Sequence, residues 1–113
     1  MVRRTEARVV LVTCGSFPQA RKIAKAVLEK KLAACVNLIS APVESVYRWK
    51  GRVERAKEVL LIIKSTSRRM KELEEVIARL HSYDLPEFLV IEIKGGSKKY
   101  LKWLGDATSP ARH

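Results

Sequence analysis

The chain has little of the residue chemistry that marks several common protein classes. It has only two cysteines in 113 residues and no Cys-x-x-Cys pair, which argues against a disulfide scaffold or a clustered zinc module. Aromatic residues make up 6% of the sequence, too few for a sheet lined with rings. No apolar run approaches the roughly 20 residues that a membrane-spanning helix needs. The first residues lack a signal-peptide pattern, so the expected location is the cytoplasm.

Positive charge is the feature that the sequence has in excess. The formal net charge is +11 and the sequence pI is about 10.1, so nucleic-acid binding has to be considered. The basic residues are spread over the whole chain and are densest over residues 48–57, with acidic residues between them. The predicted central strands carry none of the aromatic residues on which RNA bases stack. A solvated basic surface is therefore favoured, and nucleic-acid binding is disfavoured.

The first half of the sequence has the pattern of a strand, a helix and a long hairpin. Residues 9–14 form an apolar run typical of a buried central strand. Ser16 is placed to cap a helix whose apolar stripe comprises Ala20, Ile23, Ala24, Val27 and Leu28. A second strand over residues 32–39 is expected to continue, bent at Pro42, through residues 43–49. Lys50-Gly51 forms the turn, and residues 59–64 return as a buried strand.

The second half repeats the strand-helix-strand order. A helix after Ser65-Thr66-Ser67 buries Met70, Leu73, Val76, Ile77 and Leu80, and a loop over 81–87 leads into a strand over 88–93. A short helix follows Gly95-Gly96-Ser97. This order predicts an α+β fold of the ferredoxin-like βαββαβ type plus a C-terminal helix, with an antiparallel sheet and its helices on one face. A single domain is expected over residues 1–113, with frayed tails at 1–7 and 107–113.

The hairpin between residues 33 and 64 is longer than so small a domain needs for its own core. An edge of that length has to be covered, which argues against an isolated monomer.

Six blocks of the sequence together resemble the CutA divalent-cation tolerance proteins, over roughly residues 8–106. The blocks are Thr13-Cys14, Leu32-Ala33-Ala34-Cys35-Val36-Asn37, Ser45-Val46-Tyr47-Arg48-Trp49-Lys50-Gly51, Ile63-Lys64, His81-Ser82-Tyr83-Asp84-Leu85-Pro86-Glu87 and Tyr100-Leu101-Lys102-Trp103. The resemblance implies a ferredoxin-like subunit that forms a homotrimer through its long hairpin, like the PII signalling proteins. It also implies tolerance of copper and other divalent metals, with no established catalytic reaction and no obligatory cofactor.

Two positions depart from the pattern of that family. Gly15 stands where the family usually has Pro, and Ser82 stands where it usually has the Pro of His-Pro-Tyr. Both positions lie in predicted loops, so they bear on the shape of the site and not on the fold.

The resemblance also implies a cleft between neighbouring subunits. Its expected lining is Cys35, Trp49, Glu58, Lys64, His81, Tyr83 and Glu87. Cys35, His81 and Glu87 offer the S, N and O donors that borderline and soft metals accept. No pair of them has a spacing that presets a geometry, and Lys64 would repel a cation. A weak site for copper or another divalent cation is therefore expected, rather than a tight preformed one.

Each of these residues has a plainer interpretation, and other functions stay open. Lys64 and Glu58 could pair between subunits, His81 could cap the second helix, Trp49 and Tyr83 could anchor an interface, and Cys35 could simply be packed.

The cleft could instead take a small anionic metabolite, as in a PII-like sensor. A Cys35–His81–Glu87 triad has no spacing in its favour, and Gly95-Gly96-Ser97 lacks the residues of a P-loop. The expected partners are other copies of the chain and a metal ion or small ligand, and the chain is not expected to be an enzyme.

Overall fold

The computed structural model describes residues 1, 5–39 and 41–110. A short 3-10 helix, Ser67–Arg69, precedes the second α-helix. The other elements, in chain order, are β1 (Ala7–Cys14), α1 (Phe17–Glu29), β2 (Cys35–Leu38), β3 (Val43–Trp49), β4 (Arg52–Thr66), α2 (Met70–Leu80), β5 (Leu89–Glu92) and α3 (Lys98–Ala107). The predicted βαββαβ order with a C-terminal helix is confirmed.

The fifteen-residue strand β4 organises the whole sheet. The hydrogen-bonded order is β2-β4-β1-β5, with β3 also paired to β4, and every pairing is antiparallel. β2 pairs with residues 61–64 of β4, and β3 pairs with residues 52–58. The predicted bend at Pro42 falls between β2 and β3, because proline cannot donate a ladder hydrogen bond.

The hydrophobic core lies between one face of the sheet and the helices α1 and α2. Side chains alternate along a strand, so every second residue of β1 and β4 enters this core. Its fully buried members include Val10, Val12, Ile23, Val27, Leu61, Ile63 and Leu73. Leu28, predicted to be buried, is 40% exposed. The fully buried Leu32 lies beyond the end of α1 and is part of the same core.

The opposite face of the sheet, called the open face here, is mostly uncovered. It carries the apolar residues Val9, Leu11, Leu60, Ile62, Leu89 and Ile91, which neighbour one another through the pairing register. Leu89 is 55% exposed and Ile91 is 44% exposed. α3 covers only one end of this face, where the hydroxyl oxygens of Thr66 and Thr108 are 3.0 Å apart. A contiguous exposed apolar surface of this kind is typical of an assembly interface.

The predicted frayed tails were too wide at both ends. Ala7 is buried and pairs with Thr66, and the Thr5 hydroxyl donates a hydrogen bond to the carbonyl of Ile93. Thr108 is fully buried and its hydroxyl bonds the Leu104 carbonyl, 2.9 Å away. The contacts of Thr5 and Ala7, and that of Thr108 with Thr66, join residues far apart in the chain, so no local pattern indicates them. The rest of the two tails, residues 2–4 and 111–113, lies outside the described residues.

The end of α1 holds a lysine in a conformation that glycine prefers. The N–H of Leu32 bonds the Val27 carbonyl at 2.9 Å, and the N–H of Lys31 bonds the Leu28 carbonyl at 3.0 Å. This is a Schellman motif, and it places Lys31 at φ 58°.

Lys31→Gly should therefore raise the free energy of unfolding by about 1 kcal/mol, measured by urea denaturation. Lys30→Gly is the control, because Lys30 has φ −84°, and it should lower stability by about 0.5–1 kcal/mol.

Candidate functional site

His81 fixes the loop that follows α2 against the end of β1. Its side chain is buried, its Nε2 lies 2.7 Å from the carbonyl oxygen of Thr13, and its Nδ1 lies 3.0 Å from the backbone N of Tyr83. Because the Tyr83 N–H donates to Nδ1, the ring proton is on Nε2 and is donated to Thr13. Both ring nitrogens are therefore already used, and the imidazole positions the loop.

Tyr83 connects this loop to β4. Its hydroxyl donates a hydrogen bond of 2.9 Å to Oε2 of Glu58, and its ring centroid lies 4.6 Å from that of His81. A Cβ at Gly15 would lie 3.4 Å from the tyrosine hydroxyl. A methyl group would therefore just fit, and a larger side chain would press on the hydrogen bond. The absence of a side chain at Gly15, where the sequence departs from the family pattern, keeps the space beside Tyr83 open.

Glu58 contributes to raised pKa values of three ionisable groups at this end of the sheet. Burial, followed by the hydrogen bond to Glu58, raises the pKa of Tyr83 to about 12. Burial and then the Glu58 charge raise the pKa of Glu87, and the same two causes raise the pKa of Cys14 to about 11. Glu58 itself is 8% exposed. Two neighbouring carboxyl groups, a phenol and a thiol thus meet at one end of the sheet, where an added positive charge would be stabilised.

The remaining three predicted site residues lie elsewhere in the same subunit. Cys35 is half-buried and pairs directly with Lys64 across β2 and β4. Lys64 is six residues along β4 from Glu58, which corresponds to about 20 Å. Trp49 pairs with Arg52 at the hairpin tip, about 20 Å from Glu58 in the other direction. Within one subunit, the seven residues therefore form three separate groups along β4.

The described part of one subunit holds no complete metal-ligand cluster. Among the described residues, no three His, Cys, Asp or Glu side chains come together in a way that could hold a metal ion. In particular, the expected set of Cys35, His81 and Glu87 is divided, because Cys35 belongs to the group beside Lys64.

Sequence reasoning missed three neighbours of the site. The Thr13 carbonyl accepts a hydrogen bond from Nε2 of His81, Cys14 lies within range of the Glu58 charge, and Gly15 faces the Tyr83 hydroxyl. All three follow one another at the end of β1. The Thr-Cys block was visible in the sequence, but the sequence could not show that the 81–87 loop folds back onto it.

The pKa of Tyr83 provides a direct test of its hydrogen bond to Glu58. Glu58→Gln should lower the tyrosine pKa from about 12 towards its ordinary value of 10.0, with part of the shift kept by burial. Ultraviolet titration of tyrosinate measures the change, and Tyr83→Phe identifies which transition belongs to residue 83. Because the folded pKa is raised, the stabilising contribution is full below pH 10 and is lost as the pH rises towards 12. The decline in stability over that range should be smaller in Tyr83→Phe, and an equal decline in both proteins would contradict the assignment.

The topology and the cluster formed by Glu58 and the 81–87 loop define a ferredoxin-like α+β protein whose site lies at one end of the sheet. The family model described as CutA1 divalent ion tolerance protein matches residues 8–107. The chain is similar to the divalent-cation tolerance protein CutA of Thermus thermophilus, with 43% identity over 100 residues, covering 88% of this chain and 96% of that protein. The chain belongs to the CutA1 divalent ion tolerance family, which is named for ion tolerance and not for a reaction.

Solved structures and eukaryotic relatives extend this comparison. The Thermus thermophilus Cut A1 structure superimposes with a TM-score of 0.89 at 42% identity, covering 91% of this chain and 99% of that chain. The Archaeoglobus fulgidus structure, described as a periplasmic divalent cation tolerance protein, gives a TM-score of 0.87 at 36% identity, with the same coverage. The chloroplastic CutA of Arabidopsis thaliana is 43% identical over 88% of this chain, which spans 54% of that longer protein.

Two observations bear on the cellular location of the protein. Among the described residues, no helix combines the length and the apolar character needed to cross a bilayer. Relatives are described as chloroplastic or periplasmic, so the cytoplasmic location stays a prediction.

Proposed function

We propose that the chain forms a homotrimer that binds copper or another divalent cation in clefts between its subunits, without catalysis. One observation carries this proposal. The predicted lining residues form three groups that lie about 20 Å apart along a single strand. Within one subunit these groups cannot come into contact. A neighbouring subunit whose β4 lies beside the β4 of the first subunit can bring one group from each chain together in the cleft between them.

The open face supplies the surface on which subunits can meet. Its uncovered apolar residues include Leu89 and Ile91, and the hairpin adds Tyr47 and Trp49, which are each 44% exposed. Tyr47 and Trp49 belong to the same alternating series as Glu58, since they pair with Glu54 and Arg52. Burial of this surface in a trimer would cover both the apolar face and the aromatic hairpin residues.

The proposed cation site combines oxygen, sulfur and nitrogen donors. Burial and the charge of Glu58 raise the pKa of Glu87, so a cation beside these carboxyl groups would be stabilised. Cys35 of a neighbouring subunit would add a thiolate, which suits copper. His81 can join the set only if its Nε2 releases the Thr13 carbonyl, because Nδ1 already accepts the Tyr83 N–H. That requirement supports weak binding rather than a tight preformed site.

Anaerobic copper titration followed by calorimetry tests the metal proposal. The wild-type protein should bind copper with a defined stoichiometry per subunit. Cys35→Ser combined with Glu87→Gln should weaken binding by at least tenfold, and adding a substitution of His81 should abolish it. Glu74→Gln/Glu75→Gln is the control, because both carboxylates are exposed on α2 and their loss should leave the affinity unchanged. Equal weakening in the control, or no binding by the wild type, would exclude this site.

A pocket for a small anion is the second candidate, favoured by Lys64. This lysine pairs directly with Cys35, so the thiol end of the proposed cleft carries a positive charge. Citrate, inorganic phosphate and ATP are suitable probes in a thermal-shift assay. Stabilisation by one of them that is lost in Lys64→Gln, together with no stabilisation by copper or zinc, would favour the anion-binding function over the metal-binding one.

A further inference from the structure

The hairpin, defined as β3, the Lys50-Gly51 turn and residues 52–58 of β4, has two chemically different faces. Side chains alternate across it, and the pairing register assigns each to one face. One face continues the open face and carries Tyr47, Trp49, Arg52, Glu54 and Glu58. The other, called the outer face here, carries Glu44, Val46, Arg48, Val53, Arg55 and Lys57.

The outer face is cationic, and its two arginines form no ion pair with any residue that the structure describes. Arg48 lies opposite Val53, and Arg55 lies opposite Val46, so the two guanidinium groups are diagonal neighbours with no carboxylate between them. Glu44 lies opposite Lys57. Within the part of the chain that the structure describes, no salt bridge involves Arg48, Arg55 or Lys57. All three side chains are exposed.

This face stays accessible when the proposed trimer forms. It belongs to the side of the sheet on which α1 and α2 pack, whereas the proposed subunit contacts use the opposite side. The hairpin therefore presents its aromatic residues to a neighbouring subunit and Arg48 and Arg55 to solvent. Two adjacent guanidinium groups without internal partners are typical of a surface that binds phosphate groups.

We propose that the outer face of the hairpin binds the phosphodiester backbone of double-stranded nucleic acid. A two-stranded ribbon has dimensions that the major groove of B-DNA admits, and arginine contacts with phosphates need no aromatic platform. The scarcity of aromatic residues disfavours reading of single-stranded bases on the sheet, but it does not affect backbone contacts. This binding would be independent of base sequence, and the net charge of +11 would assist association.

Fluorescence anisotropy with a labelled duplex of about two helical turns tests this proposal across salt concentrations of about 50–200 mM. Arg48→Gln/Arg55→Gln should weaken binding and reduce the slope of log affinity against log salt by about 1.8 for each bound hairpin, or about 0.9 per lost phosphate contact. Lys22→Gln/Arg79→Gln is the matched control, since it removes two exposed charges from α1 and α2. That control should leave the slope within about 0.5 of the wild type.

Three results would overturn the proposal. They are no binding by the wild type at the lowest salt concentration, an equal loss of slope in the control, and equally strong competition by poly-glutamate of matched charge. The last result would indicate an acidic protein partner instead. Arg48→Lys/Arg55→Lys should retain most of the salt slope, and unchanged circular dichroism should show that both arginine variants remain folded.

Discussion

Ile62→Lys should give a folded monomer in place of the proposed trimer. Ile62 lies on the open face between Leu11 of β1 and Asn37 of β2, at the centre of the surface proposed to contact neighbouring subunits. Burying an unpaired ammonium group there costs several kcal/mol. A loss of about 4 kcal/mol per contact weakens association by roughly a thousandfold. Light scattering coupled to size exclusion should give a mass close to the 12.8 kDa of one chain.

The same strand provides a matched control for this substitution. Val53 is 66% exposed on the outer face of the hairpin, so Val53→Lys introduces the same charge outside the proposed contact. It should keep three times the subunit mass. A monomeric wild type, a trimeric Ile62→Lys variant, or loss of assembly in Val53→Lys would each contradict the assembly proposed through the open face.

His81→Ala should have the largest effect of any substitution in the loop cluster. It leaves the Thr13 carbonyl and the Tyr83 N–H without their hydrogen-bond partner and removes a buried ring. The expected loss is about 2–4 kcal/mol of unfolding free energy, measured by urea denaturation. Tyr83 would also lose the support that holds it against Glu58, so its pKa should fall from about 12.

Ser82→Ala provides the comparison within the same loop. Ser82 is exposed and its hydroxyl lies 3.0 Å from Oε1 of Gln19. Removing this bond should change stability by no more than about 0.5 kcal/mol and leave the tyrosine titration unchanged. If His81→Ala resembled Ser82→Ala in both measurements, the imidazole would have no positioning role.

Much of the fold followed from local patterns, but the length of β4 did not. The apolar run over 59–64 identified its buried half, and Pro42 located the bend between β2 and β3. Residues 52–58 are mostly polar and charged, so their own sequence does not indicate a strand. They become one by pairing with β3, and this long-range contact overrides local propensity.

The sequence indicated four residues that the structure brings together, but it did not indicate their geometry. Glu58, His81, Tyr83 and Glu87 were all expected as site residues, and the structure brings them to one end of the sheet. Cys35 and Trp49 were grouped with them only through the resemblance, and they lie in separate groups along β4. The distances depend on β4 being one unbroken strand, which the sequence did not reveal. The tautomer of His81 likewise depends on a contact with Thr13, 68 residues away in sequence.

The continuity of β4 also bears on how this gene can change over time. Along its second half, alternate residues face the core and the residues between them lie on the open face. A single inserted or deleted codon there would exchange these two sets of residues. Core residues such as Leu61 and Ile63 would then meet solvent while Lys64 entered the interior. The Lys50-Gly51 turn has no such constraint, because residues inserted in pairs at the turn leave the register between β3 and β4 unchanged. Length variation among descendants of this gene should therefore concentrate at that turn and be absent from β4.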